Sequence, residues 1–507
     1  MPAYQGGVGL AVGPDGQGVA FDAQSALEAC LDPSLAPVGF GHVRCVIAMH
    51  DPDAVNGMLR TWFMERHGLL LHSDDITQLR NEYGENVAFY FAFLHFYTLA
   101  LVPLAIVGVL CPIILGRAAY SYVYSAFLLA WAPVTIALWQ GQSRRWAEAW
   151  GTRRVQSIDG DAERMATQLR PLYRPAGFRC HDDHDGIVPV FEPGWKRAIY
   201  SLFVTAPVVL GSAGVLMVLI WGLTISEVIL GTYYTGPLAS VVTLLPTAAY
   251  SLAIPMITQH YRKIAFQLTD RENIRTDSEF ENAMTRKIFV FSALVSWLGL
   301  SVFGFLVVPF SDRLHDIVSA TFHAIPLMGS VKIFSLSGRA LEAAGGLSPA
   351  QLQSRLVALV VTGQVIDAFS ELLMPLMIAY LDRWRQGGFA AMKDECPAAS
   401  KDEIEKRYVA RLRHELAKPP YIIYQDYAEM AVQFGYLTMF SSIWSWAPLI
   451  CLINNWFEMR SDLLKITKTA RRPVPARVEG IGAWASIFVL LGWAGSIMTP
   501  AFVSLYR

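Results

Sequence analysis

A chain of 507 residues with 53% hydrophobic and 16% charged side chains lies well below the charge content of about 25% found in ordinary soluble domains, and the balance is that of a membrane protein. The formal net charge of −1 excludes nucleic-acid binding driven by overall basicity.

Residues 1–72 are Gly-rich at first and then mixed, with a short strand expected at Val46–Met49 and a helix over 54–66. They read as the remnant of a small α/β cytoplasmic domain. About 85 residues precede the first apolar run, so the pattern of a secretory signal peptide is missing. Residues 73–507 read as one all-α polytopic transmembrane domain. Its apolar stretches lie at about 87–112, 119–141, 198–222, 237–260, 288–312, 350–382, 421–441, 443–464 and 480–503, each near or above the length that crosses a bilayer. That predicts nine spans. The intervening loops at 142–196, 261–287 and 383–420 are polar, with helix expected in part, notably over 401–415.

Basic residues decide the orientation. Arg144, Arg145, Arg153, Arg154, Lys196 and Arg197 lie between spans two and three, and Arg262, Lys263, Arg271, Arg275, Arg286 and Lys287 between four and five. Arg383, Arg385, Lys393 and Lys401 follow span six, and Lys465, Lys468, Arg471 and Arg472 follow span eight. Residues 223–237 carry no Lys or Arg. The positive-inside rule therefore puts the N-terminus in the cytoplasm and, with nine spans, the C-terminus outside. Six scattered cysteines (Cys30, Cys45, Cys111, Cys180, Cys396, Cys451) predict no disulfide framework. The run Cys180-His181-Asp182-Asp183-His184-Asp185 suggests a metal site but is too crowded for all its ligands to reach one ion, and reads better as a solvated turn.

The strongest signal is acidic. Asp367 and Glu371, Asp426 and Glu429, and Glu458 and Asp462 fall in apolar segments, spaced three or four apart, so each pair shares one helix face. Glu371 lies about eleven residues before the inner end of its span and Asp426 about five after the next begins, so all three pairs come to a similar depth in the cytoplasmic half. A carboxylate at membrane depth costs about 2.5–3.5 kcal/mol on the insertion scale, about 15–20 kcal/mol for six. One or two hard divalent cations between three helices would offset that cost. Three other readings stay open: pairing with a membrane arginine, for which only Arg460 lies near and on another face of its helix; protonation, as in a relay; and watery helix ends. Gly363 and Pro375 flank Asp367 and Glu371 by four residues and can act as hinges or as routine packing positions.

At these residues the chain resembles the anoctamin (transmembrane-16) family, most closely its fungal calcium-activated lipid scramblases. The resemblance covers about residues 40–507. It rests on 429–436 (EMAVQFGY), Ala447-Pro448-Leu449, 454–462 (NNWFEMRSD) and Arg471-Arg472-Pro473. Support comes from Tyr83-Gly84-Glu85, Tyr90-Phe91-Ala92-Phe93, Phe96-Tyr97-Thr98, Leu268-Thr269-Asp270, Glu272-Asn273 and Arg275-Thr276. It implies two calcium ions (Ca2+) between spans six, seven and eight, with Glu371, Asp426, Glu429, Glu458 and Asp462 as ligands. It also implies a groove bounded by spans three to seven. Asp367 stands where the family usually has Asn, adding a charged oxygen, and Val295 replaces an Asn of span five. The family has ten spans and a larger cytoplasmic domain, so the expectation is a chain truncated at both ends. Its homodimer would lack the interface built by the tenth span.

Along the implied groove no Lys or Arg occurs between Tyr200 and Gln259, between Ile288 and Pro309, or between Leu356 and Asp382, whereas an anion pore needs fixed positive charge. Instead it offers Ser201, Thr205, Ser240, Thr243, Thr247, Ser251, Ser292 and Ser296, hydroxyls that suit a headgroup or simple helix-to-helix bonding. The expectation is a phospholipid scramblase of the endoplasmic reticulum or plasma membrane, not an enzyme, possessing some ion conduction. The alternatives are a calcium-activated chloride channel, a proton- or metal-coupled transporter, and a non-transporting tether.

Overall fold

The computed structural model describes residues 9–12, 18–21, 49–62, 71–116, 119–152, 174, 177–180, 187–190, 194–233, 245–310, 349–362, 364, 377, 412 and 415–507. Within these the chain is mostly helical. Two antiparallel hairpins are the exception. Strand β1 (Gly9–Val12) pairs with β2 (Gly18–Phe21), and β3 (Gly177–Cys180) with β4 (Ile187–Val190), Cys180 opposite Ile187. The acidic run that begins at Cys180 thus leads out of a strand, and residues 181–186 lie outside the described residues. So does the expected strand at Val46–Met49, except for Met49, which is in no element.

Helix α1 (Pro52–Arg60) and α2 (Ser73–Tyr83) precede the long α3 (Glu85–Leu115) and α4 (Tyr122–Ala149). Asp51 caps α1 by accepting the Asp53 N–H at 3.0 Å, and Asp75 reaches back to the His72 N–H at 2.9 Å to start α2, each satisfying a donor that a helix N-terminus leaves open. Helix α5 (Gly194–Tyr200) runs through a π-helical turn, Ser201–Thr205, into α6 (Ala206–Tyr233), and α7 (Leu245–Arg271) and α8 (Asp277–Val302) follow. Thr276 caps α8 through the Glu279 N–H. Helix α9 (Pro349–Val357) leads into a π-helical turn at Ala358–Thr362. Helices α10 (Ile423–Phe440), α11 (Ala447–Leu464) and α12 (Ala483–Tyr506) complete the order.

Among the described residues, five helical stretches are long and apolar enough to cross a membrane: Glu85–Ile114, Tyr122–Ala149, Trp195–Leu219, Glu279–Leu306 and Ala483–Tyr506. They coincide with the expected spans one, two, three, five and nine. Several boundaries differ from the sequence reading. Helices α4, α7 and α8 continue into the polar segments at 142–149, 261–271 and 277–287, because charged residues at a helix end extend into water without breaking the backbone ladder. Helix α11 starts at Ala447 rather than 443, after turns at 441–446, with Pro448 in its first turn. The middle of the expected span six lies outside the described residues.

An aromatic cluster fixes α10 among its neighbours. Phe93 of α3 meets Trp139 of α4 at 4.9 Å and Phe488 of α12 at 4.7 Å between ring centroids, and Phe434 of α10 meets Trp131 at 5.8 Å and Phe488 at 5.2 Å. Tyr427 stacks on Trp484 of α12 at 5.6 Å. Such rings bury large areas and prefer these offset and edge geometries. Two glycines permit closer approach. The Trp297 ring of α8 lies where a Cβ on Gly435 would sit, 2.1 Å from Cζ2, and the Ser445 carbonyl oxygen lies 2.1 Å from a Cβ on Gly108.

Since a backbone carbonyl cannot swing aside, Gly108→Ala should destabilise the protein by about 1–3 kcal/mol. Gly141, with nothing within 4 Å of its would-be Cβ, should accept Ala without loss. Thermal unfolding in detergent checks the pair: a lowered midpoint for Gly108→Ala beside an unchanged or raised one for Gly141→Ala.

Candidate functional site

On α11, Asn455, Glu458 and Asp462 follow one another at spacings of three and four, and Lys465 comes three later, so all four share one stripe. On α10, Asp426, Glu429 and Gln433 do the same. The two stripes face each other. Gln433 Nε2 donates to Asn455 Oδ1 at 2.8 Å, and Lys465 Nζ donates to Asp426 Oδ1 at 2.7 Å. Residue numbers fall on one helix as they rise on the other, so the helices are antiparallel and these contacts bracket Glu429, Glu458 and Asp462. The seam between the brackets is about 10–15 Å long at 1.5 Å per residue.

Asp426 and Asp462 are each 1% exposed, and Glu429 and Glu458 are half-buried. Each aspartate receives a phenol hydrogen from a different direction: Tyr421, just before α10, donates to Asp426 Oδ2, and Tyr90 of α3 donates to Asp462 Oδ2. Asn454 Nδ2 donates to Glu458 Oε2 at 2.8 Å. Hydrogen bonds to ionised oxygens are stronger than neutral ones and offset part of the loss of water. Tyr90 also packs edge-on against Tyr427 at 5.2 Å, so the aromatic cluster holds the phenol in place.

Arg460 of α11 makes a local contact. That side chain folds back on its own helix, its guanidinium 4.0 Å from the Trp456 ring centroid and donating to the Trp456 carbonyl at 2.9 Å. Lys465 pairs with Asp426 from one residue past the end of α11, where the helix widens into the π-helical turn Lys465–Thr469.

Among the described residues no group of three or more His, Cys, Asp or Glu side chains is gathered about a point as a metal centre. Asp367, Glu371, Gly363 and Pro375 lie outside the described residues. The donor set is all-oxygen and carboxylate-rich, the chemistry that hard divalent cations select, and Asp426, Glu429, Glu458 and Asp462 are the residues here that could hold one.

The segment after α11 anchors the entry to α10. Arg471 donates from Nη2 to the Leu416 carbonyl at 2.6 Å, and Arg472 donates to the carbonyls of Met49 at 2.9 Å and Glu82 at 2.6 Å. Arg472 also pairs with the Glu82 carboxylate at 3.0 Å. Burial nevertheless raises the Glu82 pKa, outweighing Arg472, and burial lowers that of the neighbouring His50. The twin arginines thus tie together the end of α2, the approach to α10 and the exit of α11.

The groove hydroxyls divide. Ser240 and Thr243 lie outside the described residues, and Thr247 and Ser251 lie in α7 with only their backbone described. Ser201, Ser292 and Ser296 are half-buried. Thr205 is buried and turned into the protein, where its hydroxyl donates to Glu272 Oε1 at 3.0 Å. Glu272 accepts in turn from Lys287 Nζ at 2.7 Å, and Lys287 also donates to Thr269 at 3.1 Å. This second buried charge cluster joins the α5–α6 helix to α7 and α8. In the sequence Glu272 stands out only as part of the Glu272-Asn273 match, with no sign of this pairing.

The family described as Anoctamin, calcium-activated chloride channel, matches residues 79–507. An uncharacterized protein of Schizosaccharomyces pombe is 28% identical over 92% of this chain and 66% of its own length. Mouse anoctamin-10 is 24% identical over 92% of this chain and 62% of its own, and human anoctamin-7 is 26% identical over 81% and 47%. The chain thus spans about two thirds or less of the length of these relatives.

The buried Glu272–Lys287 pair, with side chains 5% and 10% exposed, offers a test of packing on this side of the molecule. Glu272→Gln strands a buried ammonium and should cost about 3–5 kcal/mol, whereas Glu272→Leu combined with Lys287→Met should recover much of that loss. A double-mutant cycle on thermal unfolding reads the coupling; additive losses would contradict it.

Proposed function

The chain belongs to the anoctamin family and is an integral membrane protein, and on that premise we propose that it is a calcium-activated phospholipid scramblase. The observation that carries the proposal is the α10–α11 seam: four carboxylates, two of them fully buried, on facing stripes of a membrane protein. Calcium would neutralise them and be held by Asp426, Glu429, Glu458 and Asp462.

Span six would supply the rest. Gln364 Nε2 reaches Cys451 Sγ of α11 at 3.6 Å. Glu371 is seven residues after Gln364, and Glu458 is seven after Cys451. If the two segments run in the same direction, as the expected topology has it, a helix continuing from Gln364 would bring Asp367 level with Asn454 and Glu371 level with Glu458. The seam would then be closed from a third side, with room for two ions. Drawing span six inward would move it against its neighbours, with Gly363 and Pro375 as hinges, and open a path for lipid.

Two features favour lipid over chloride. The α5–α6 helix exposes Leu202, Phe203, Leu210, Val215 and Val218, an apolar face suited to acyl chains. The proposed path lacks Lys and Arg and offers Ser201, Ser240, Thr243, Thr247, Ser251, Ser292 and Ser296 for headgroups. The family description, which names a calcium-activated chloride channel, supports anion conduction as the second reading. The proposal extends to a homodimer in the endoplasmic reticulum or plasma membrane with the N-terminus cytoplasmic.

Liposomes holding the purified protein and a fluorescent phospholipid test this. Calcium should accelerate lipid exchange between leaflets. Loss of one carboxylate in Glu458→Gln should raise the calcium midpoint at least about tenfold, equivalent to 1.4 kcal/mol. Glu371→Ala should largely abolish the response, and Asp367→Asn should shift it to higher calcium while leaving scrambling intact. Calcium-dependent chloride flux without lipid exchange would favour the second reading.

A further inference from the structure

The carboxylate seam is already served by a cation of the protein's own. Lys465 Nζ lies 2.7 Å from Asp426 Oδ1, and the Asp426 side chain is 1% exposed while that of Lys465 is 18% exposed. The lysine sits three residues after Asp462 and seven after Glu458, so it prolongs the acidic stripe itself. It is also the first residue of the π-helical turn Lys465–Thr469, a kind of irregularity found often at functional sites. Neutral donors add to it: Tyr421 to Asp426, Tyr90 to Asp462 and Asn454 to Glu458.

We infer that Lys465 is a tethered cation that stands in for calcium at Asp426, and that calcium binds by displacing its ammonium from that carboxylate. The inference rests on the calcium reading above and adds a competitor built into the chain. An ammonium and a divalent cation cannot both lie within contact distance of one carboxylate oxygen without strong mutual repulsion. The lysine therefore stabilises the calcium-free seam and lowers calcium affinity, which places the switching concentration higher than four bare carboxylates would. Its long, half-buried side chain and its position at the helix end leave it a route toward solvent when displaced. The linkage is reciprocal: whatever calcium does to the Lys465–Asp426 contact, that contact does to calcium.

Calcium titration of the purified full chain in detergent, read by calorimetry and by thermal unfolding, tests this without recourse to transport. Lys465→Met should lower the calcium-free melting temperature and tighten calcium binding about five- to tenfold, the low end of usual coupling between linked ligands. Lys465→Arg, which keeps the charge, should stay within about twofold of the unsubstituted protein, well below one unit of that coupling. Lys468→Met removes an exposed charge three residues on and should do likewise; an equal effect from Lys468→Met would reduce the result to general electrostatics and overturn the inference. A measurement on the unsubstituted chain removes dependence on variant folding. Labelling of Lys465 by an amine-reactive reagent, followed by mass spectrometry, should rise when calcium is added. If calcium binds and labelling of Lys465 is unchanged or falls, displacement is wrong while the calcium reading stands. If the unsubstituted chain shows neither binding heat nor a calcium-dependent melting shift, both fall.

Discussion

Carboxylates between two packed helices lose water that a low-dielectric surround cannot replace, and the loss is tolerable only if charge and hydrogen bonds are supplied from close by. The α10–α11 seam is organised around that constraint. Lys465 and Tyr421 serve Asp426, Tyr90 serves Asp462, and Asn454 serves Glu458. These donors come from three separate parts of the chain, so the seam holds only when α3, α10 and α11 are correctly docked. The aromatic cluster of Phe93, Trp139, Phe434 and Phe488 and the stacked Tyr427–Trp484 pair dock α3 and α10 through α4 and α12.

The same constraint links the seam to the rest of the molecule. Tyr421 stands next to the segment that Arg471 grips through Leu416, and Arg472 grips α2 and Met49. A shift at the end of α11 therefore reaches the entry to α10 through the Arg471 guanidinium and through the Arg471 N–H, which donates to the Pro419 carbonyl at 2.9 Å. Glu272 and Lys287 join Thr205 to α7 and α8, which ties the base of the exposed α5–α6 helix to the bundle. A ligand that acts on the seam shifts the protein only to the extent that it binds two arrangements differently. Replacing a protein ammonium by a divalent ion is a physical source of that difference.

Much of this was legible in the sequence, and the failures have clear causes. Acid pairs spaced three and four apart inside apolar runs put Asp426 with Glu429, and Glu458 with Asp462, on one face of their helices, because helical periodicity is a local property. Lys465 is on the same stripe but past the apolar run, where a lysine reads as one of the basic residues that set the orientation. Tyr90 lies 372 residues from its partner Asp462, and nothing in local pattern announces such a contact. Thr205 matched the small hydroxyls expected along a groove, yet its bond to Glu272 is a tertiary event. Helix ends were misjudged where α4, α7 and α8 run past the apolar stretch, since hydropathy reports the bilayer and not the backbone.

The central claim is that one carboxylate seam exchanges a protein cation for a divalent one. Experimental structures of the full chain in lipid, determined with calcium and with a chelator, test it most directly. The account predicts density for bound ions among Asp426, Glu429, Glu458 and Asp462 in calcium, with Lys465 drawn away from Asp426, and the 2.7 Å contact restored in chelator. Ions bound elsewhere, or an intact Lys465–Asp426 contact beside a calcium-filled seam, would contradict it.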